Sequence, residues 1–469
     1  MNLTTHDTAP ESARVSEILA ALSFALDLTE GQPMGHALRT CLIGMELAER
    51  IGLPLGERRD LYYALMLKDV GCSSNSARVF ELFGGDERAA KHDLKQVDWS
   101  NYFTAARYAM GRAAPGASWM DRARRVSALA RSGSRVAQEL VVARCSHGAK
   151  IVAQLGFGSG VAEAVASLDE HWDGRGQPRG LSGSEIPVLS RVMGLAQTLD
   201  VFAAIDGPAA ALAVAVERGG RWFDPVLVKA CEGLEPALAE WRELDPHALR
   251  ERVAEREPGD AALLAGPGAL DRIALGFAQV VDAKSPYTGE HSVRVTRFAM
   301  QIARRLGFDD AQLTQVRRAA LLHDIGKLSV PNSILDKPGP LTPEEWEVVK
   351  LHPYYTELIL DHIRGFGQLS FMSASHHERL DGNGYWRGLR GEQIPLASQV
   401  LATADMLDAL SAARPYRPAL PQEVALRLIE KDRDVALAGE CLDALQDVVE
   451  EIGPTEVEME AAGGQQLAA

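Results

Sequence analysis

Three ionisable side chains follow directly on an apolar run in "RAALLHDIGK", residues 318–327. They are His323, Asp324 and Lys327, and burying such groups is costly unless each is paired or bound to a metal ion. In the same half of the chain, His and Asp recur beside apolar residues in "HSVRV", "KLHPYYTELIL", "FMSASHHERL" and "VLATADMLDAL". Imidazoles with a few carboxylates suit first-row metal ions, and two such sets that share a carboxylate suit a two-metal centre. The seven candidate ligands are His291, His323, Asp324, His352, His376, His377 and Asp405.

Helices must position these side chains, because the sequence around them has a helical period. Apolar residues recur every three or four positions after His291, at Val295, Phe298, Ala299, Ile302 and Leu306. Gly307 then predicts the end of that helix. We find no alternation of apolar and polar residues that would indicate strands. The pattern therefore predicts an all-α fold.

Length, charge and cysteine spacing limit the class of protein. At 469 residues the chain is too long for one typical core, which favours two domains. Its net charge of −15 argues against nucleic acid or an anionic membrane as a partner. The five cysteines have no paired spacing and are expected to be reduced thiols. No signal peptide and no 18-residue uncharged apolar run is seen, so we expect a cytoplasmic protein.

The chain contains an internal repeat. Asp69 matches Asp324 and His36 matches His291 at one offset, since 324 − 69 and 291 − 36 both equal 255. A later block, residues 173–192, matches residues 381–400 at an offset of 381 − 173 = 208. His147 is matched to His352 at an offset of 352 − 147 = 205. Two blocks that agree in order and in residue type indicate a duplication.

The repeat divides the chain into segments. The first copy is predicted over 1–254, with an insertion of about 50 residues (255 − 205) near 82–132. A linker follows at 255–269, where Gly and Pro cluster. The second copy is predicted over 270–452, and the tail at 453–469 is expected to be disordered.

Three motifs in the second copy resemble the HD-GYP family of the HD phosphohydrolase superfamily. They are "HDIGK" at 323–327, "HHERLDGNGYWRGLRGEQIPL" at 376–396 and "ADMLDALSAARPYR" at 404–417. The resemblance covers about 269–449 strongly and the first copy weakly. It implies two tandem HD-type helical domains, the second with the HD-GYP helical extension. It also implies a metal-dependent phosphodiesterase that opens cyclic di-GMP to the linear dinucleotide, or cuts it further to GMP.

The resemblance assigns roles to the candidate residues. The seven His and Asp residues would hold two divalent first-row ions, Fe or Mn, with Asp324 bridging them. A hydroxide between the ions would attack the phosphorus, and Lys327 would stabilise the charge that develops on a phosphate oxygen. Tyr385, Arg414 and Arg417 match positions that the family uses to bind phosphate and base, a task that suits the guanidinium group.

The second copy departs from the family pattern at three positions. Trp386 stands where the family has Pro, so the loop is expected to shift or the indole to stack on a base. Tyr287 replaces the Glu of members with three metals, which favours two ions here. Thr356 replaces a common Gly and is expected to crowd a helix contact slightly.

The first copy has lost most of the ligands. His36, Asp69 and His147 are matched to ligands and survive, whereas the other positions have become Lys68, Cys72, Leu168, Asp169 and Gln197. We expect a degenerate domain with a structural, dimerising or sensory role, in which Lys68 pairs with Asp69. A homodimer or a signalling partner would bind through this domain.

Two other functions stay open from the sequence. One is an HD phosphohydrolase that acts on another cyclic dinucleotide or nucleotide phosphoester. The other is a catalytically silent scaffold that binds a cyclic dinucleotide and a partner protein. The complete ligand set favours an enzyme, whereas Trp386 and the degenerate first copy favour the scaffold.

Overall fold

The structure, a computed structural model, describes residues 13–94, 111, 119–259, 263–414 and 417–452. The chain forms two compact units. The first unit is Arg14–Ala265, and the second is Gly266–Ala469 with Met1–Ala13. The all-α prediction is confirmed, because in the described ranges the only strands are two short ones that pair, Ala13–Arg14 and Leu264–Ala265.

The first unit is a bundle of α-helices around one long apolar helix. That helix, Val188–Asp206, packs against His36–Arg50 and Leu55–Leu67. It is long and apolar enough to span a membrane by composition, with a mean hydropathy of 1.4, but 61% of its apolar window is buried inside the protein. It therefore serves as a core helix. The helices are Val15–Thr29, His36–Arg50, Leu55–Leu67, Ser76–Phe83, Glu87–Leu94, Trp119–Gln154, Ser159–Ala166, Val188–Asp206, Pro208–Arg218, Pro225–Ala230, Glu235–Glu243 and Pro246–Glu255, with 3-10 turns at Cys72–Asn75 and Gly183–Glu185.

The second unit repeats this arrangement with its own long helix, Leu396–Ser411, against His291–Arg305. The predicted helix after His291 ends at Arg305, close to Gly307, and its apolar positions Val295, Phe298 and Ile302 are buried. The helices are Pro267–Asp282, His291–Arg305, Asp310–Leu322, Asn332–Leu335, Pro343–Lys350, His352–Leu360, Gly367–Ala374, Leu396–Ser411, Gln422–Ile429 and Gly439–Ile452, with 3-10 turns at Ile325–Ser329, Gly391–Gln393 and Glu430–Asp432.

Local capping signals fix where the site helices begin. Asp309 and Gln312 form a capping box, in which Asp309 accepts from the Gln312 N–H at 2.8 Å and Gln312 accepts from the Asp309 N–H at 2.9 Å. The helix that starts at Asp310 ends at Leu322, so its end presents His323. A capping box also joins Thr342 to Glu345 at the start of the helix Pro343–Lys350.

Parts of the predicted insertion and tail lie outside the described residues. Within 82–132 the structure describes the helix Glu87–Leu94 and the first part of Trp119–Gln154, but not residues 95–110 and 112–118. The tail at 453–469 is also outside the described ranges. Of the predicted linker 255–269, the last residues belong to the helix Pro267–Asp282.

The structure corrects one pairing of the repeat. A Cβ on Gly326 would lie 1.9 Å from the carbonyl oxygen of His352, and one on Gly71 would lie 2.0 Å from that of Arg144. These matching close approaches make Arg144 the counterpart of His352, at an offset of 352 − 144 = 208. The pairing of His147 with His352 is therefore wrong by three residues. A chance histidine in the next helical turn misled the alignment.

Candidate metal centre

The seven candidate ligands come from five segments of the second unit, mostly at helix ends. His291 and His352 each begin a helix, and Asp405 lies inside Leu396–Ser411. The two adjacent pairs follow helix ends: His323 and Asp324 after Leu322, His376 and His377 shortly after Ala374. The structure brings all seven side chains into one cluster, in which six are buried and His377 is partly buried.

Asp324 lies at the middle of the cluster, and its two carboxylate oxygens face different imidazoles. Its Oδ2 is 3.3 Å from the Nε2 of His291 and 3.3 Å from the Nε2 of His323. Its Oδ1 is 3.4 Å from the Nε2 of His352 and 3.8 Å from the Nε2 of His376. Only 1% of Asp324 is exposed. The carboxylate is therefore placed to be shared between two sets of ligands.

Asp405 and His377 complete the two sets. Asp405 Oδ1 lies 3.4 Å from the Nε2 of His291, on the side of Asp324 Oδ2. The ligand atoms of His352, His376 and His377 all lie within 4.8 Å of one another. Each set contains the imidazoles and, with Asp324, the carboxylate that a first-row metal ion accepts.

Fixed acceptors orient the imidazoles of the cluster. The Nδ1 atoms donate as follows: His291 to Asp408 Oδ2 at 2.6 Å, His323 to Ala320 O at 2.7 Å, His352 to Val349 O at 2.7 Å and His376 to Ser373 O at 2.5 Å. Because a carbonyl oxygen can only accept, Nδ1 carries the proton in the last three rings. In the neutral form of these three rings, Nε2 has a lone pair directed into the cluster, which is the arrangement seen in metal-ligating histidines.

Two observations show that these residues fit a metal ion. Among the residues that the structure describes, the Nε2 atoms of His291 and His323 and the Oδ1 atom of Asp324 are buried without a hydrogen bond. The Nε2 atoms of His352 and His376 lie 3.4 Å apart, so their two lone pairs face each other. Leaving buried polar atoms unsatisfied is costly, and a cation between them removes both penalties.

The protonation of the cluster favours cation binding. Burial lowers the pKa of His352 to about 4, and it also lowers the pKa of His376 and of His377 well below the usual range. Burial alone would raise the pKa of Asp324, but His323 and Lys327 hold it well below its usual value. The neutral form is therefore favoured for His352, His376 and His377, beside a carboxylate whose ionised form is favoured.

The carboxylates around His291 favour its protonated form. Burial lowers its pKa, but the carboxylates of Asp324 and Asp408 outweigh burial and raise it to about 9. A bound cation would displace this proton, because metal ligands must be deprotonated.

Lys327 and Tyr385 lie at the border of the cluster. The Lys327 ammonium contacts the Asp324 carboxylate and keeps 20% of its side chain exposed. The Tyr385 ring stacks on His377, with ring centroids 4.6 Å apart and an interplanar angle of 30°. Burial raises the pKa of the Tyr385 hydroxyl, so that group stays a neutral donor. Both residues can contact a molecule bound beside the ligands.

The two predicted arginines form a turn after the helix Leu396–Ser411. The Arg414 N–H donates to the Arg417 carbonyl at 2.8 Å, and the Arg417 N–H donates back at 3.1 Å. The Arg417 guanidinium also donates to the carbonyls of Leu410, at 3.0 Å, and Ala409. Arg417 therefore caps the end of that helix, a contact that the sequence did not suggest. Phosphate binding by Arg414 and Arg417 stays a prediction.

Trp386 adopts a backbone conformation that proline cannot. Its φ is 97°, whereas the proline ring holds φ near −65°. The indole N–H donates to Glu357 at 3.0 Å, and the ring lies 4.7 Å from Tyr354. The ring therefore packs on the helix His352–Leu360.

Thr356 forms a cross-link that the sequence did not predict. Its hydroxyl accepts from the Gly326 N–H at 3.1 Å and donates to the His323 carbonyl at 2.9 Å. Instead of the expected crowding, two hydrogen bonds join the turn after His323 to the helix that begins at His352. The close approach of Gly326 to that helix leaves no room for a Cβ.

Asp408 and Arg294 also orient the site and were missed. Asp408 accepts from His291 and, at 2.5 Å, from Arg294 Nε. A signal was present, because Asp408 lies three residues after Asp405 and so on the same helix face.

Comparison with known proteins identifies the class. The family model for the HD domain matches residues 122–227 and 277–438, and the chain belongs to this family, in its HD-GYP branch. It is a phosphodiesterase of that type. HD-type phosphohydrolases depend on metal ions, which agrees with the geometry of the cluster.

Individual relatives extend the comparison. The 3'3'-cGAMP-specific phosphodiesterase 3 of Vibrio cholerae is 42% identical over 432 residues, which are 92% of this chain and 94% of that protein. The cyclic di-GMP phosphodiesterase response regulator RpfG of Xanthomonas campestris is 38% identical over 36% of this chain and 45% of its own length. A crystal structure of a cyclic GMP-AMP specific phosphodiesterase of V. cholerae superposes with a TM-score of 0.65, at 37% identity, over 95% of this chain and 99% of that one.

Proposed function

We propose that the second unit hydrolyses a phosphodiester of a 3'3'-linked cyclic dinucleotide with two divalent first-row metal ions, Fe or Mn. One observation carries this proposal. The buried carboxylate of Asp324 turns one oxygen to His291 and His323 and the other to His352 and His376. A single carboxylate between two imidazole sets is the arrangement expected of a bridging ligand.

The residues divide into two ligand sets. His291, His323 and Asp405 would hold one ion with Asp324 Oδ2, and His352, His376 and His377 would hold the other with Asp324 Oδ1. When bound, the ions would supply Lewis-acid polarisation of the phosphate and activation of a water molecule.

The surrounding side chains bind and orient the substrate. The Lys327 side chain is 20% exposed, so its ammonium can leave the Asp324 carboxylate and bind a phosphate oxygen as negative charge develops. Tyr385 offers an aromatic face for a base and a neutral hydroxyl for a hydrogen bond. Arg414, at the start of its turn, is proposed to contact a phosphate.

The preferred substrate is proposed to be 3'3'-cGAMP. A relative that matches over 92% of the chain, and therefore in both units, carries that specificity in its name. Relatives named for cyclic di-GMP match 36% and 35% of the chain. Cyclic di-GMP, the substrate expected from the motifs, is the second candidate because those relatives are named for it. A silent scaffold is disfavoured because the buried ligand set is complete.

Direct competition between the two substrates tests this proposal. Full-length protein prepared without oxygen and loaded with Fe or Mn is given equal concentrations of both cyclic dinucleotides. We expect the linear product of 3'3'-cGAMP to form faster, as followed by chromatography. Faster opening of cyclic di-GMP would replace the first candidate by the second. If the metal-loaded protein binds both cyclic dinucleotides but hydrolyses neither, the proposed hydrolysis is wrong.

A matched pair of variants assigns the activity to the cluster. Asp324→Asn is expected to lower turnover by at least about 10³-fold, because it removes the shared carboxylate. Asp361→Asn, at an exposed carboxylate of the same unit, should leave it unchanged. Metal content by elemental analysis should fall only in the first variant. Equal turnover in the two variants would exclude Asp324 from the mechanism.

A further inference from the structure

The first unit keeps the arrangement that orients a metal-ligating histidine. His36 Nδ1 lies 2.7 Å from Asp200 Oδ2, and Arg39 Nε donates to Asp200 Oδ1 at 2.7 Å. The corresponding distances to Asp408 in the second unit are 2.6 Å and 2.5 Å. His36 therefore presents the lone pair of its Nε2 to the interior, as a metal ligand does.

A lysine occupies the position that this lone pair faces. Lys68 Nζ lies 3.1 Å from His36 Nε2 and also contacts the Asp69 carboxylate. The Lys68 side chain is 0% exposed and that of Asp69 is 1% exposed. The repeat makes Lys68 the counterpart of His323 and Asp69 the counterpart of Asp324. The ammonium thus lies between an imidazole and a carboxylate whose counterparts are proposed to hold one ion.

A guanidinium occupies the other half of the cavity. Arg144, the counterpart of His352, contacts the carboxylate of Asp169, the counterpart of His377. Arg144 Nη1 also lies 4.0 Å from the sulfur of Cys72, which stands at the position of Lys327. The third imidazole of this set is replaced by the buried, apolar Leu168. None of the three imidazoles of this set survives at these positions.

We infer that Lys68 and Arg144 replace the two metal ions in the first unit. The proposed metal centre of the second unit supplies the comparison on which this inference rests. Each side-chain cation takes one of the two positions, and each is matched by one carboxylate, Asp69 or Asp169. The first unit thus keeps the helix packing of a metal-dependent fold without a metal ion. For the Lys68–Asp69 pair, whose side chains are 0% and 1% exposed, removing one partner is strongly destabilising, because it leaves an uncompensated buried charge.

Hydrogen exchange of the full-length protein tests the role of Lys68. Lys68→Met keeps the length of the side chain and removes the ammonium that contacts the buried Asp69 carboxylate. We expect amide protection in the helix Val188–Asp206 to fall at least tenfold, and added divalent metal not to restore it. Lys150→Met, an exposed lysine of the same unit, is the matched control and should change nothing. Unchanged protection in Lys68→Met would overturn the inference.

A variant designed to gain metal binding tests whether Lys68 occupies the position of a metal ion. The double variant Lys68→His, Gln197→Asp restores the residue types of His323 and Asp405 beside His36 and Asp69. The Gln197 Oε1 atom is buried and, within the described part of the chain, has no hydrogen bond, so a carboxylate there meets no competing partner. We expect one more divalent ion per chain than in the parent, measured by elemental analysis. A folded double variant with no additional ion would overturn the assignment.

The two proposals fail in different ways. A parent protein that binds no divalent ion and turns over neither cyclic dinucleotide would contradict the metal centre of the second unit. Loss of protection in Lys68→Met would still establish the internal cation of the first unit. If the double variant does not fold, the result for Lys68→Met decides alone.

Discussion

In each unit a lysine ammonium contacts a buried aspartate, but the lysine comes from a different position in the sequence. In the first unit Lys68 is the residue directly before Asp69, and its side chain is 0% exposed. In the second unit Lys327 lies three residues after Asp324, and its side chain is 20% exposed. A buried carboxylate needs a counter-charge in both cases. The enclosed lysine meets this need permanently, whereas the lysine at the border can exchange the carboxylate for another anion.

Replacing the exchangeable lysine gives the largest expected effect in this comparison. Lys327→Met should lower kcat by about 10²–10³-fold, because it removes a cation that acts on developing charge. Metal content and the unfolding midpoint should stay near those of the parent, since the carboxylate can still bind ions. Steady-state kinetics and elemental analysis measure both. A Lys327→Met variant that loses its metal would show that this lysine, like Lys68, is structural.

The stability of the first unit is expected to depend on pH because of a second buried carboxylate, that of Asp27. Asp27 accepts hydrogen bonds from the N–H groups of Gly35, at 2.9 Å, and Ala37, at 3.0 Å. Burial raises the pKa of Asp27 to about 7, although the nearby Lys68 lowers it. The folded state therefore holds a proton that the unfolded chain releases near 3.8. This stabilisation is complete below about pH 4 and is lost as the pH rises to about 7.

Asp27→Asn should remove this dependence. Between pH 5 and 7 we expect the parent to lose about 2–3 kcal/mol more stability than the variant. Urea unfolding at several pH values, followed in the helix Val188–Asp206, measures the difference. Equal slopes in parent and variant would show that Asp27 is ionised throughout.

Asp408 in the second unit and Asp200 in the first unit each orient a histidine, but we propose metal ions only in the second unit. Asp408→Ala should weaken metal affinity by about 10–100-fold, because His291 loses the acceptor that fixes its ring. Asp200→Ala, the same change in the first unit, should leave metal affinity unchanged and destabilise that unit. Competition with a chelator measures affinity in both. Equal metal affinity in the two variants would show that Asp408 does not orient a metal ligand.

The smallest effect is expected at the residue before each orienting histidine. Gly35 has a φ of 85°, and its counterpart Glu290 has a φ of 57°, a left-handed conformation that is strained for a residue with a Cβ. Glu290→Gly should therefore raise the free energy of unfolding of the second unit by less than about 1 kcal/mol. Glu290→Ala keeps the strain and should give no gain. Urea unfolding compares the two variants, and an equal gain in both would rule out backbone strain.

The sequence predicted the helical fold and the ligand types because both depend on local pattern. An apolar period of three to four residues predicts helices, and His or Asp at the ends of such runs predicts a cluster. The pairing of His147 failed because a histidine three residues away hid the offset of 208 that the later block already had, and the close approach of Gly71 to Arg144 reveals the true pairing. Asp408 and Thr356 were missed because their roles depend on partners more than 30 residues away, at His291 and at His323.

The backbone at Trp386 has a consequence for engineering this enzyme. With a φ of 97°, the position lies far from any angle that a pyrrolidine ring allows. The family signature therefore cannot be recovered by exchanging one side chain, because the whole loop would have to be rebuilt around a different path. By the repeat, Pro178 holds the matching position in the first unit. Grafting that longer segment, rather than a single proline, is therefore the way to introduce a proline at this position.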